Sequence, residues 1–207
     1  MTPSPTVECY YSLSSPWAYF AGPRIIEIAR RHHARVVMKP FDFQQAAPKT
    51  GGIPILTRPL PRQQYHATEL QRWSKFLGMP LNSKPRFYPP VDNKTPGHTV
   101  IAAQQLGYDY MRLSHAILRA IWAEERNVAL AQTRKQIADE NNMDGATLIS
   151  LEKSEPVVAE YRRNTEEVEQ LGVFGAPTYV FEGEFFWGQD RLDFLDRALA
   201  TTRAAKH

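Results

Sequence analysis

One cysteine in 207 residues removes two functions at once. Cys9 has no intramolecular partner, so neither a disulfide framework nor a CxxC redox cycle is open to the chain. Its place in a β-prone segment reads as a buried strand thiol. No apolar run approaches the roughly 20 residues a membrane helix needs. The opening "MTPSPTVECYYSL" has neither the basic patch nor the apolar stretch of a secretory signal, so the expected location is the cytoplasm. No GxGxxG or phosphate-loop motif occurs, and Gly51-Gly52 lacks the lysine and hydroxyl such a loop requires. The six histidines include no HExxH, there is no GxSxG elbow, and no metal site is expected. Charge of one sign is scarce too. The net charge is +3, and the densest cationic run, "RRHHAR" from Arg30 to Arg35, sits where the first helix should end and the helix dipole favours cations. Neither nucleic acid nor a membrane is an expected partner, whereas small anions are compatible with the mild excess.

What is present is ordinary globular composition, 43% hydrophobic and 23% charged. Thr6 to Leu13 reads as a strand rich in Val and Tyr. Ser15-Pro16 then marks a helix start, a hydroxyl cap followed by proline at the first helical position. That helix should run to about His33 with Ile25, Ile26 and Ala29 on its apolar side, kinked at Gly22-Pro23. "RVVMKPFDF" is a second strand, parallel to the first because a helix separates them. Gln44 to Pro61 shows no period. "RQQYHATELQRWSKFLG" is helical, with Tyr65, Leu70, Trp73 and Leu77 as its apolar positions and Gly78 as its stop. After the loop "LNSKPRFYPPVDNK", helices are expected from Thr99, Tyr108, Ala131, Asp144 and Glu155. β character returns at Thr178 to Phe181 and Phe185 to Trp187, a hairpin about Glu182-Gly183-Glu184, and the chain closes on a helix carrying Leu192, Leu195 and Leu199. Residues 1–48 and 172–207 therefore form one sheet-bearing domain, with 49–171 inserted as an all-helical domain.

Two places carry chemistry. In "YYSLSSPWAYF", Ser15 stands at a helix N-terminus, where backbone N–H groups and the dipole favour an anion. Its hydroxyl can cap the helix, or hydrogen-bond a thiolate or carboxylate. In "GVFGAPTYVF", Pro177 enters a strand it cannot donate to, which reads as an edge proline or as a cis peptide turned toward a ligand. Asp190 opens the last helix, where a carboxylate suits the dipole. Trp17, Phe87, Tyr88 and Trp187 are either core aromatics or the walls of a flat pocket.

Three stretches, "YYSLSSPWAY", "ELQRWSKFLGMPLNSKPRFYP" and "GVFGAPTYVFEGEFFWGQDRL", resemble the 2-hydroxychromene-2-carboxylate isomerases, relatives of kappa-class glutathione transferases and of the DsbA-like thioredoxin branch. The resemblance runs through nearly the whole chain in the same order. It implies an α/β, thioredoxin-like fold with a large helical insertion, a homodimer, and glutathione as cofactor. It places Ser15, as catalytic residue, against the glutathione sulfur, makes Pro177 cis, and pairs the Ala176 backbone with the tripeptide. The turn Trp187-Gly188-Gln189-Asp190 would hold the γ-glutamyl end. The implied reaction is cis–trans isomerisation of 2-hydroxychromene-2-carboxylate to trans-o-hydroxybenzylidenepyruvate in naphthalene-type aromatic catabolism. One departure stands out: the family's asparagine-arginine pair is missing from "TGGIPILTRPLP". Lys49, Arg58 and Arg62 are the candidate cations for the carboxylate of a small anionic aromatic substrate, with Trp17 and Phe87 or Tyr88 beside its ring. A kappa-like transferase and a glutathione-binding module without turnover are the alternatives.

Overall fold

A computed structural model describes residues 4–204; the outermost ends of the assigned sheet-bearing domain, 1–3 and 205–207, lie outside them. The chain opens with β1 (Thr6–Tyr11), α1 (Pro16–His32), β2 (Arg35–Pro40) and α2 (Phe43–Thr50). A single 3-10 turn, Ile55–Thr57, leads into α3 (Leu60–Leu77). The helical segment continues through α4 (Thr95–Gln105), α5 (Tyr110–Trp122), α6 (Ala131–Glu140), α7 (Gly145–Leu151) and α8 (Glu155–Leu171). β3 (Thr178–Phe181), β4 (Glu184–Trp187), a 3-10 turn at Gln189–Arg191 and α9 (Leu192–Ala204) complete it.

The sheet order is β2-β1-β3-β4. β1 and β2 run parallel from Thr6↔Arg35 to Tyr11↔Pro40, as a helical crossover requires. β3 runs antiparallel to β1, with Cys9 opposite Tyr179, and β4 returns along β3 through a turn that puts Glu182 and Gly183 at positive φ. The first and last parts of the chain thus build one sheet, and everything between Pro40 and Thr178 hangs from it. One buried cluster nevertheless spans both parts, joining Val7, Phe20 and Tyr179 to Ile101, Ile117 and Leu148. The helical segment packs on the sheet domain through α5 against α1, and α4 and α8 against β2.

Several boundaries move from their sequence positions for local reasons. β1 ends at Tyr11 and β2 at Pro40 because the next residues turn to cap helices. Asp42 leaves the strand to accept the Gln45 N–H at 3.1 Å, starting α2 where no period was read. Pro48 hides this helix by removing a donor near its end, and Gly51 closes it at φ 81°. α1 continues through Gly22-Pro23, burying Ile28 where Ile26 was expected; Ile26 is 37% exposed. On α3 the inward face is His66, Leu70, Trp73 and Leu77, at helical spacings of four, three and four, while Tyr65 is exposed.

Candidate active site

α1 begins against the β3 entrance, and this junction forms one wall of a cleft of about 390 Å³. Ser15 has extended backbone (φ −74°, ψ 121°), as an N-cap must. Its Oγ accepts the Ala18 N–H at 3.2 Å and donates to the Ala176 carbonyl at 3.0 Å. The helix cap and the hydroxyl lining the cleft are therefore the same group. Pro16 has no N–H, and the Tyr19 N–H is held by the Ser15 carbonyl at 3.1 Å. Trp17 is thus the first-turn residue whose N–H has no acceptor among the described residues. One hydroxyl and one free N–H at the positive end of a 17-residue helix suit an anion, a thiolate included.

The facing wall is equally constrained. The Ala176-Pro177 bond is cis. The Pro177 carbonyl accepts the Gly188 N–H at 2.8 Å, and Thr178 Oγ1 donates to the Gly175 carbonyl at 2.8 Å. Trp187 packs so closely on Gly175 that a Cβ there would sit 2.1 Å from its Nε1. Phe174 meets the same indole edge-on, ring centroids 4.7 Å apart. Phe174, Gly175, Ala176 and Trp187 thus line this part of the cleft together.

The rest of the cleft comes from the helical segment and the strap between α2 and α3. The strap contributes Ile53 to Arg58, and α3 adds His66. Arg58 Nε donates to the Ile53 carbonyl at 2.9 Å, closing the strap on itself and leaving its terminal nitrogens for an acceptor. His66 sits edge-on to Trp17, ring centroids 5.3 Å apart. Burial and then the Arg58 charge hold its imidazole below the usual histidine range. Opposite lie Asp42, Asn93 and Tyr161. Asp42 is paired with Lys94 at 2.9 Å, and burial raises the Tyr161 phenol, keeping it protonated. Asn93 Oδ1 is buried without a partner among the described residues. Tyr88, with its pKa raised by burial, closes the floor beside Pro89 and lies 4.6 Å from Trp122 between ring centroids.

Of the residues singled out from sequence, the structure brings Ser15, Trp17, Arg58, Tyr88, Ala176 and Trp187 together around this cleft. Pro177 lies behind the wall, where with Cys9, Gly22 and His115 it lines a separate cavity of about 20 Å³. Gly188 turns the chain at φ 97°, and Gln189 is buried, with its Oε1 and carbonyl both held by Arg24 Nη1, at 2.9 and 2.7 Å. Asp190 is exposed beside Arg191, 3.6 Å away. Lys49, Arg62 and Phe87 do not reach the cleft. Lys49 is paired with Glu169 at 2.6 Å, Arg62 points from the exposed side of α3, and Phe87 lies under the Arg86 guanidinium. Cys9 is 2% exposed, and burial pushes its thiol up, so it stays protonated and out of the cleft.

Asp42, His66, Asn93 and Tyr161 were not singled out from sequence. His66 carried a usable signal, being a histidine at the first inward position of an otherwise apolar helical face. The other three are united only by tertiary packing. Among the described residues no group of three or more His, Cys, Asp or Glu could hold a metal, and no helix is long and apolar enough to cross a membrane.

This cis-proline wall facing a helix start, on a β2-β1-β3-β4 sheet, defines a class: the chain belongs to the DsbA-like thioredoxin family, whose model matches residues 6–200. Within that class it is similar to 2-hydroxychromene-2-carboxylate isomerases. The protein of that name from Sphingobium xenophagum is 26% identical over 196 residues, 94% of this chain and 97% of the relative. The one from Pseudomonas putida is 23% identical, over 93% of each chain. A solved 2-hydroxychromene-2-carboxylate isomerase superposes with a TM-score of 0.78 at 21% identity, covering 97% of both chains. The cytosolic disulfide reductase DsbM of Pseudomonas aeruginosa, solved with GSH, shares the fold at a TM-score of 0.67 and 20% identity, over 94% of this chain and 99% of that one.

Proposed function

We propose that this protein is a glutathione-dependent isomerase that converts 2-hydroxychromene-2-carboxylate to trans-o-hydroxybenzylidenepyruvate. The supporting observation is the Ser15 corner, a hydroxyl and an open backbone donor at a helix start, in a chain whose single cysteine is buried on β1. Glutathione would supply the thiolate that adds reversibly to a conjugated carbon of the ring-opened substrate, so that a double bond becomes single and can rotate. Ser15 Oγ and the Trp17 N–H would hold the sulfur as the anion. To do so the Ser15 hydroxyl exchanges the Ala176 carbonyl for the sulfur, a swap of one hydrogen bond for a charge-assisted one. A one-unit fall in the thiol pKa corresponds to about 1.4 kcal/mol. Ala176, released from Ser15, can then pair its carbonyl with a peptide N–H, and Trp187 with Gly175 shapes the slot for the chain of the tripeptide. Asp190, exposed on the turn that Arg24 fixes through Gln189, would meet the γ-glutamyl end.

The open end of the cleft suits an anionic aromatic ring. Arg58 offers its terminal nitrogens to the carboxylate, between Trp17 and Tyr88. Asn93, on the opposite wall, supplies a carboxamide that the strap lacks. The test is conversion of the chromene carboxylate by purified protein with and without glutathione, while total free thiol is followed. Dependence on glutathione with constant thiol is expected. Consumption of thiol would mark a conjugating, kappa-like transferase. Binding of glutathione without turnover would mark a binding module. A homodimer completes the proposal, and sedimentation of the purified protein checks it.

A further inference from the structure

His66 is the ionisable side chain in the cleft that the mechanism above leaves without work. Its surroundings are unusual for a surface-helix histidine. The ring is half-buried at the inward face of α3 and held edge-on by Trp17, two residues from Ser15. It has no hydrogen-bond partner among the described residues, although it lines the cavity. The other ionisable groups about the cleft are accounted for. Arg58 faces it from the strap, Arg62 lies one turn back on its own helix, Tyr88 rises from the segment after α3, and Asp42 and Tyr161 stand on the opposite wall, Asp42 being paired with Lys94. Of these, Arg58 acts on the imidazole together with burial, and both favour its neutral form.

A neutral, unpaired imidazole beside a bound hemiketal is placed to move a proton, and opening the chromene ring requires one to move. We propose that His66 transfers the proton that opens the substrate ring, an inference that rests on the isomerase reading. The imidazole takes the proton from the hydroxyl on C2 as the bond between C2 and the ring oxygen breaks. The electron pair of that bond goes to the ring oxygen, and the former hydroxyl becomes the C2 ketone. The imidazolium then gives the same proton to the phenolate. No proton, oxidant or reductant is gained or lost. Both oxygens start on one carbon, so one imidazole can serve the two in turn without leaving its place against Trp17. General acid–base assistance of this kind contributes about 10²–10⁴-fold.

The test compares wild type, His66→Gln and His66→Ala. In wild type, kcat/KM should fall on acidification below a midpoint under 6.5, because a protonated imidazole cannot accept the hydroxyl proton. An NMR titration of the His66 ring should give the same midpoint in the protein without glutathione. His66→Gln should lower kcat by about 100-fold, lose that acid limb, and leave both KM and calorimetric glutathione affinity within about twofold of wild type. Added imidazole should restore part of the activity of His66→Ala and none to wild type. A His66→Gln variant with wild-type kcat and an intact acid limb overturns the proposal, as does a loss confined to KM, which would make His66 a grip for the carboxylate. Absence of glutathione-dependent turnover in wild type would instead sink the isomerase reading itself, and the ring-opening role with it.

Discussion

The two ends of the cleft are built by opposite means. At the Ser15 end, backbone does the work: an N-cap, a cis peptide, a carbonyl held by a serine and a glycine pressed against an indole, all tied to the sheet. At the strap end, side chains do it, on a segment whose apolar residues are partly bare; Leu56 and Leu60 are each 64% exposed. The contrast teaches where constraint and freedom reside. The first end is tied to the sheet by backbone contacts, so it carries the geometry that the fold shares, and under the proposed function it receives the sulfur. The second is made of side chains on an exposed segment, so under the same proposal it sets substrate preference.

The sharpest way to break this division is Ser15→Ala. It removes one donor to the sulfur and one helix cap, and turnover should fall about 100-fold with glutathione saturating, alongside about 1 kcal/mol of stability. Equal turnover in variant and wild type would move the chemistry away from the backbone-built end. A second test probes the rigidity behind that end. His115 stacks on Tyr19 at 5.5 Å, and its Nδ1 is buried without a partner among the described residues. Burial, and then the Arg119 charge, lower its pKa from the ordinary histidine value of about 6.5 to about 4. Between those two values the unfolded chain binds a proton that the folded chain does not. Stability should therefore fall as pH drops from about 6.5 to 4, by about 2 kcal/mol from this group. Urea melts at both pH values should show the fall, and His115→Phe should flatten it; an unchanged slope in the variant would assign the acid sensitivity elsewhere. The smallest effect belongs to the strap. Arg58→Gln should raise KM for the anionic substrate about tenfold, or 1.4 kcal/mol, and leave glutathione affinity alone. Lys49→Ala, whose ion pair is exposed, should alter neither measurably.

The same division explains what could be read from sequence. The Ser-Pro helix start and the terminal hairpin depend on neighbours within a few residues, so local chemistry spells them out, whereas the cis state of Pro177 is left open by its neighbours and follows only from the family resemblance. The two local strand pairings are legible too, once a helix separates the first two strands and a tight turn joins the last two, but the β1–β3 pairing that completes the sheet order is a long-range contact that no local signal announces. Lys49 illustrates the failure. A proline masks α2 in the sequence, which reads there as a stretch without period carrying a cation open to substrate, whereas on the last turn of α2 Lys49 faces Glu169 of α8. Asn93 and Tyr161 reach the cleft only because α4 and α8 both pack on β2, a meeting that no spacing within either segment announces. His66 lies between these cases. Tyr65 reads as an apolar position in the sequence but is exposed, and the inward face lies one residue on, where it places an imidazole among leucines and a tryptophan.

The bond from Ser15 to Ala176 joins residues 161 positions apart. A ribosome therefore releases most of this chain before the corner exists, because β3 must be made and inserted beside β1 before the hydroxyl meets its carbonyl. Long-range closure of this kind slows folding. It also makes the cleft a late product of synthesis: a chain truncated before the final hairpin would keep its serine and its strap, yet lack the wall that Ala176 and Trp187 provide.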